Sequence, residues 1–121
     1  MARRDITGAV NFRHLESFAA GDQRVIDEVL ALFREQAAMW IRLLDPDAEG
    51  WRDAAHTLKG SALGIGAFAL ADECEAAEQA ATPRERAALV DSVRSALDLA
   101  LADIAAYEHE QALKSLKGTG A

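Results

Sequence analysis

The sequence of residues 56–66 is HTLKGSALGIG. A helix turns by about 100° per residue, so a helix through this stretch places His56 about 160° from Leu58. Four apolar residues fall within about 60° of Leu58 on this wheel, namely Trp51, Ala55, Ala62 and Ile65. The pattern predicts an amphipathic helix that buries the Leu58 side in a core and turns His56 towards solvent.

The exposed side of this helix carries more than the histidine. Lys59 follows His56 by about one turn, Gly60 removes a side chain next to the imidazole, and Leu63 is apolar on the same side. A glycine inside a helix costs up to about 1 kcal/mol relative to alanine. Gly60 therefore indicates that a partner needs access to His56. An exposed histidine without any role is the alternative that periodicity leaves open.

Apolar residues recur at helical spacing along the remaining chain. The predicted helices are a short one from an Asn11 cap to about Ala19 and longer ones over about 23–44, 48–63, 67–81 and 83–113. Their short connections predict an all-α fold, an antiparallel up-down-up-down four-helix bundle with a short extra N-terminal helix. We expect one bundle domain over residues 11–115, a loose lead over 1–10 and a frayed tail over 116–121.

Local signals set the predicted helix ends. Asp22 and Asp47 are candidate N-caps, and Gly64–Gly66 is a break at which the chain reverses. Thr82 and Pro83 with Glu85 form a capping-box signature. In the helix after the break, the predicted inward stripe comprises Leu70, Cys74, Ala77 and Ala81.

The composition argues against several classes of function. The 121 residues carry a formal net charge of −7, which disfavours nucleic-acid binding because phosphate backbones require a basic surface. The N-terminus lacks the apolar region of a secretory signal, and no apolar run is long enough to cross a membrane. The single cysteine excludes an internal disulfide. We expect a cytoplasmic monomer that has no membrane segment.

A nucleophilic imidazole needs a group that fixes its second nitrogen. Helices on either side of the Gly64–Gly66 break run antiparallel, so an acceptor for His56 should come from the next helix. Glu78 is the candidate, and Glu75 remains a competitor. Lys59 could stabilise the charge of a transferred phosphoryl group. The three histidines show no paired metal-ligand spacing, and no nucleotide-binding motif is present.

The motif HTLKGSA at residues 56–62, followed by Gly66-Ala67, Leu70, Cys74 and Glu78, resembles a histidine-containing phosphotransfer (HPt) domain. The resemblance covers about residues 11–107 and implies a four-helix bundle with an accessory helix. It implies that His56 accepts a phosphoryl group from the aspartate of a receiver domain and passes it to another. Lys59 then corresponds to the lysine of the family and Gly60 to its small residue. Glu78 corresponds to a position that is glutamine in many members and glutamate in the chemotaxis-kinase branch.

The same resemblance implies the partners. Response-regulator receiver domains and a hybrid histidine kinase are expected, with a docking surface around His56 that includes Ser61, Leu63 and Ala67. The Mg²⁺ for the transfer belongs to the receiver, so the chain itself needs no metal or other cofactor. We expect no ATP-dependent kinase activity.

Two alternatives remain. The chain could be a non-catalytic helical bundle that docks receiver domains without being phosphorylated. It could also be the dimerisation helix pair of a histidine kinase, which we disfavour because such a segment normally leads into an ATP-binding domain.

Overall fold

The computed structural model describes residues 7–120, which form five α-helices and contain no β-strand. The helices are α1 (Phe12–Phe18), α2 (Gln23–Leu43), α3 (Trp51–Ile65), α4 (Phe68–Glu78) and α5 (Pro83–Gly120). Residues 1–6 of the predicted lead and residue 121 of the predicted tail lie outside the described residues. The predicted all-α class is confirmed.

Helices α2 to α5 close into a ring. Both α2 and α4 pack against α3 and α5, while the short α1 lies against α2 and α3. Gln23, at the start of α2, accepts a hydrogen bond from Tyr107, whereas Arg94 donates to the carbonyl oxygen of Ile41 near the end of α2. Helices α2 and α5 are therefore antiparallel, as the predicted bundle requires.

Apolar side chains from all five helices meet in one core. Burial of each large apolar side chain contributes roughly 1.5–3 kcal/mol to folding, so this core provides the main stabilisation of the bundle. The rings of Phe12 and Tyr107 are stacked with their centroids 4.3 Å apart, which fastens α1 to α5. In the part of the chain that the structure describes, no helix is long and apolar enough to cross a membrane.

Three of the predicted N-caps form. The side chain of Asn11 accepts from the amide of His14, and that of Asp22 accepts from the amide of Arg24. The hydroxyl of Thr82 accepts from the amide of Glu85 at 3.1 Å. The Glu85 carboxylate in turn accepts a hydrogen bond from the amide of Ala81, one residue before the cap, at 3.0 Å.

Helix α3 begins at Trp51, a few residues later than predicted, and Asp47 is not its cap. The residues before it form a separate turn, in which the Asp45 side chain accepts from the amide of Asp47 at 2.9 Å. The carbonyl oxygen of Asp45 accepts from the amide of Ala48 at 3.0 Å. Gly50 occupies the cap position without a side-chain hydrogen bond.

Helix α4 is shorter than predicted, and α5 is longer. The chain leaves α4 after Glu78, because the amides of Gln79 and Ala80 bond to carbonyls three residues back, and the predicted core residue Ala81 is exposed. Helix α5 continues beyond the predicted end near residue 113, and Lys114 forms an ion pair with Glu110 one turn earlier at 3.7 Å.

The reversal between α3 and α4 occurs at Gly66 alone. Its φ is +85°, whereas Gly64 lies within the last turn of α3. A Cβ on Gly66 would lie 2.6 Å from the carbonyl oxygen of Asn11, whose amide donates to the carbonyl oxygen of Gly66 at 2.9 Å. Gly66 thus joins the α3–α4 turn to the start of α1.

The last residues of the predicted loose lead are held against α5. The buried carboxylate of Asp103 accepts from the backbone amides of Thr7, Gly8 and Val10 at 2.8, 3.1 and 3.2 Å. It also accepts from the hydroxyl of Thr7 at 2.9 Å, and Val10 is buried. These contacts add residues 7–10 to the folded domain.

Candidate functional site

His56 lies in the middle of α3, and its side chain is 69% exposed. The exposure follows from the amphipathic pattern of the helix, whose core side is occupied by apolar residues. Those buried on α3 are Trp51, Ala54, Ala55, Leu58, Ala62 and Ile65. The imidazole is therefore open to a macromolecular partner.

Glu78 contacts the imidazole from the last residue of α4. Its Oε1 lies 2.8 Å from Nδ1 of His56. The antiparallel course of α3 and α4 brings the two residues to the same height, and Glu75 is exposed almost one turn earlier. Of the two glutamates that the sequence offered, Glu78 therefore contacts His56.

Lys59 binds the same carboxylate. Its Nζ lies 3.2 Å from Oε2 of Glu78, and its side chain is 26% exposed. His56 and Lys59 are three residues apart and so share a face of α3. One carboxylate thus holds both side chains through its two oxygens.

The charge of this carboxylate is stabilised. Desolvation alone raises the pKa of Glu78, but hydrogen bonds from His56 and Lys59 and the charge of Lys59 outweigh it and lower the pKa below its ordinary value of 4.5. An ionised carboxylate only accepts hydrogen bonds. Nδ1 of a neutral His56 therefore carries the hydrogen, and Nε2 keeps its lone pair.

Gly60 leaves an opening beside His56. A Cβ built on Gly60 has nothing within 4 Å, so the glycine is not required by packing within the chain. Leu63, further along α3, is 46% exposed. Both residues lie where the sequence predicted an accessible surface.

The other two residues predicted to line this surface differ from each other. Ser61 is half-buried and borders an apolar groove of about 260 Å³ between α2 and α3, together with Leu32 and Gly64. Ala67 is fully buried, and the prediction that it lines a docking surface is wrong. Its amide bonds to the carbonyl oxygen of Ala62 in the turn before α4, which directs its methyl group into the core.

Arg52 was missed at the sequence level. Its Nη1 donates to the backbone carbonyl oxygen of Glu78. It precedes His56 by four residues and so lies on the same face of α3. That spacing is the signal in the sequence, but it does not show that α4 ends beside Arg52.

Cys74 lies in the core near this site. Burial, with a smaller effect of the Glu78 charge, raises the pKa of its thiol to about 12. The thiol is therefore protonated at neutral pH and is a poor nucleophile. Across residues 7–120, no three His, Cys, Asp or Glu side chains are grouped so that they could hold a metal ion.

Comparison with known proteins gives two matches. The family model of the Hpt domain matches residues 24–117. The crystal structure of the histidine phosphotransferase ShpA from Caulobacter crescentus is 59% identical in sequence, with a TM-score of 0.80. The match covers 90% of this chain and 99% of that one. Among curated protein sequences, no significant match was found.

Proposed function

The chain belongs to the Hpt domain family and is a phosphotransfer protein of a phosphorelay, and on that premise we propose that His56 is the residue that carries the phosphoryl group. The observation that supports this assignment is the pairing of an exposed imidazole with an ionised carboxylate. His56 is 69% exposed, and its Nδ1 lies 2.8 Å from Glu78. This pairing directs the lone pair of Nε2 towards solvent, where a phosphoryl donor can approach.

The proposed step is an in-line displacement at phosphorus. The lone pair of Nε2 forms the N–P bond while the bond from phosphorus to the aspartyl oxygen of the donor breaks, and the aspartate leaves with that electron pair as a carboxylate. The proton on Nδ1 stays in place. The ring gains positive charge as the N–P bond forms, and Glu78 stabilises that charge at hydrogen-bond distance.

Lys59 and Gly60 have separate roles in this proposal. The ammonium group of Lys59 stabilises the charge on the phosphoryl oxygens, and its contact with Glu78 keeps it near the imidazole before the donor arrives. Gly60 leaves space for the partner, because nothing occupies the position that its Cβ would take. Neither residue exchanges a proton in the step.

The proposed donors and acceptors are the aspartates of receiver domains, one of them in a hybrid histidine kinase. The surface that receives them includes Leu63 and the groove bordered by Ser61. Mg²⁺ enters with the receiver domain, and the chain contributes no metal ligand of its own. We expect no phosphorylation from ATP alone.

The test is phosphoryl transfer from a phosphorylated receiver domain. Wild-type protein should acquire acid-labile, base-stable phosphate, and His56→Gln should acquire none. His109→Gln removes another exposed histidine, on α5, and should behave as wild type. Transfer retained by His56→Gln contradicts the assignment. Receiver binding by wild type without any transfer favours the non-catalytic alternative.

A further inference from the structure

One residue, Glu78, is contacted at three points by one face of α3. Arg52 donates to its backbone carbonyl oxygen, His56 lies 2.8 Å from Oε1, and Lys59 lies 3.2 Å from Oε2. Arg52, His56 and Lys59 are spaced four and three residues apart, which aligns them along a single face of the helix. The proposed function uses the two side-chain contacts. It does not involve the backbone contact of Arg52.

The backbone contact of Arg52 lies at the C-terminal end of a helix. Glu78 is the last residue of α4. The carbonyls of a last helical turn have no amide partner within the helix, and cations near them are favoured by the helix dipole. The guanidinium of Arg52 supplies a donor to this end of α4. It therefore fixes the backbone from which the Glu78 carboxylate reaches His56.

Arg52 is itself held in place. Its guanidinium lies over the ring of Trp51, 4.6 Å from the centroid, and Trp51 is buried at the start of α3. Arg86 of α5 lies over the same ring at 5.2 Å and donates to the carbonyl oxygen of Pro46 at 3.3 Å. The two arginines share one aromatic platform, but the hydrogen bond from Arg52 goes to α4, and that from Arg86 goes to the loop before α3.

We propose that Arg52 is a positioning residue for phosphoryl transfer: by holding the backbone of Glu78, it keeps the carboxylate on Nδ1 of His56 and so keeps Nε2 free to react. This inference rests on the proposed function of His56. Arg52 acts through Glu78 and forms no bond to the phosphoryl group. Without the contact, the end of α4 moves relative to α3, and the proton of the neutral imidazole distributes over both nitrogens.

The tautomer of His56 tests this directly. Long-range ¹H–¹⁵N correlation spectra of the imidazole distinguish Nδ1–H from Nε2–H in the isolated protein, with no partner present. We expect the Nδ1–H form in wild type and an increased Nε2–H fraction in Arg52→Met. Arg52→Lys retains a donor, although it lacks the planar fork of arginine, and should restore part of the Nδ1–H form.

Arg86→Met is the matched control, because it removes the same charge from the same aromatic ring, while the hydrogen bond of Arg86 goes to the carbonyl oxygen of Pro46 and not to Glu78. Its His56 tautomer should equal that of wild type. Groups that orient a reactive histidine affect activity by about 10- to 100-fold at metal sites. We expect phosphoryl transfer to slow about 10-fold in Arg52→Met and to change by less than about twofold in Arg86→Met.

Each outcome decides between the hypotheses. A tautomer shift in Arg52→Met alone, with partial recovery in Arg52→Lys, supports the inference. An unchanged tautomer in Arg52→Met overturns it, and so does an equal shift in Arg86→Met, which would assign the effect to packing around Trp51. The spectra report folded protein only, so a loss of stability does not imitate the shift. Absence of transfer in wild type would contradict the proposed function and leave the tautomer result intact.

Discussion

At the scale of single residues, Glu78 places a negative charge beside His56, whereas a glutamine at this position would place a neutral amide there. Glu78→Gln keeps an oxygen that can accept from Nδ1 but removes the charge that, in the proposed step, stabilises the developing imidazolium. We expect phosphoryl transfer to slow about 10-fold, by analogy with other groups that orient a reactive histidine. The rate is measured with a phosphorylated receiver domain. Glu75→Gln removes the same charge one turn earlier and should transfer at the wild-type rate. Equal effects of the two substitutions would contradict a specific role for Glu78.

Gly60 offers a second prediction at this scale, because stability and transfer should change in opposite directions. Gly60→Ala meets no atom and should raise the free energy of unfolding by about 0.5–1 kcal/mol through helix propensity. The added methyl group beside His56 should slow transfer. Gly64→Ala, in the same helix and with equal space at the Cβ position, should also stabilise the protein. Urea unfolding and the transfer assay check both parts.

Much of the site follows from local sequence, because a helical wheel depends only on spacing. The exposure of His56 and its shared face with Lys59 could be predicted in this way. The burial of Ala67 could not, because it depends on how the chain turns after Gly66. The contact between Arg52 and Glu78 depends on where α4 ends, and no local signal marked that end.

At the scale of helices, the turn between α3 and α4 depends on Gly66. Gly66→Ala should lower the free energy of unfolding by at least about 2 kcal/mol, because a left-handed φ costs roughly 1–2 kcal/mol without glycine and the methyl group meets the backbone of Asn11. Urea denaturation measures the loss. Gly64→Ala tests the assignment of the break to Gly66 alone, because it should stabilise the protein. A similar loss in both variants would contradict that assignment.

The pairing of α3 with α4 should depend on pH. The pKa of Glu78 is lower in the folded protein than its ordinary value of 4.5, so its contribution to stability is present above pH 4.5 and is lost as the pH falls through the folded pKa. Wild type should exceed Glu78→Gln in unfolding free energy by about 0.5–1 kcal/mol at pH 7. This difference should shrink below pH 4.5. Urea unfolding of both proteins across this range checks the sign, and a difference that grows as the pH falls below 4.5 would contradict it.

Helix boundaries were less predictable than the helices themselves. The stripes that face the core repeat over many residues, so the existence and order of the helices could be inferred. The start of α3 depends on a competing turn at Asp45, and the end of α4 depends on a few backbone hydrogen bonds. At each of these helix ends, a single contact decides between a further helical turn and a loop, and the free-energy difference is small. The periodicity of apolar residues does not predict such an end.

At the scale of the whole molecule, Asp103 connects the beginning of the described chain to its last helix. Asp103→Ala leaves the buried amide of Val10 and the partly buried amides of Thr7 and Gly8 without an acceptor, and it should lower the free energy of unfolding by about 2–4 kcal/mol. Hydrogen exchange at Val10 should accelerate more than exchange in α3. Asp98→Ala, at an exposed position on α5, is the control and should change stability by less than about 0.5 kcal/mol. Uniform acceleration across all helices would argue against a local tether.

The charges around the carboxylate shared by His56 and Lys59 also bear on how a partner protein distinguishes the phosphorylated from the unphosphorylated form. With neutral His56, the charges of Arg52 and Lys59 exceed that of Glu78 by one, so the site is positive on a chain of formal net charge −7. A phosphoryl group adds a charge of about −1.5 to −2. Loaded and unloaded molecules would therefore present different electrostatic potentials at the same place. A partner protein could distinguish the phosphorylated form, a phosphoryl donor, from the unphosphorylated form, an acceptor, by charge alone. No helix would have to move.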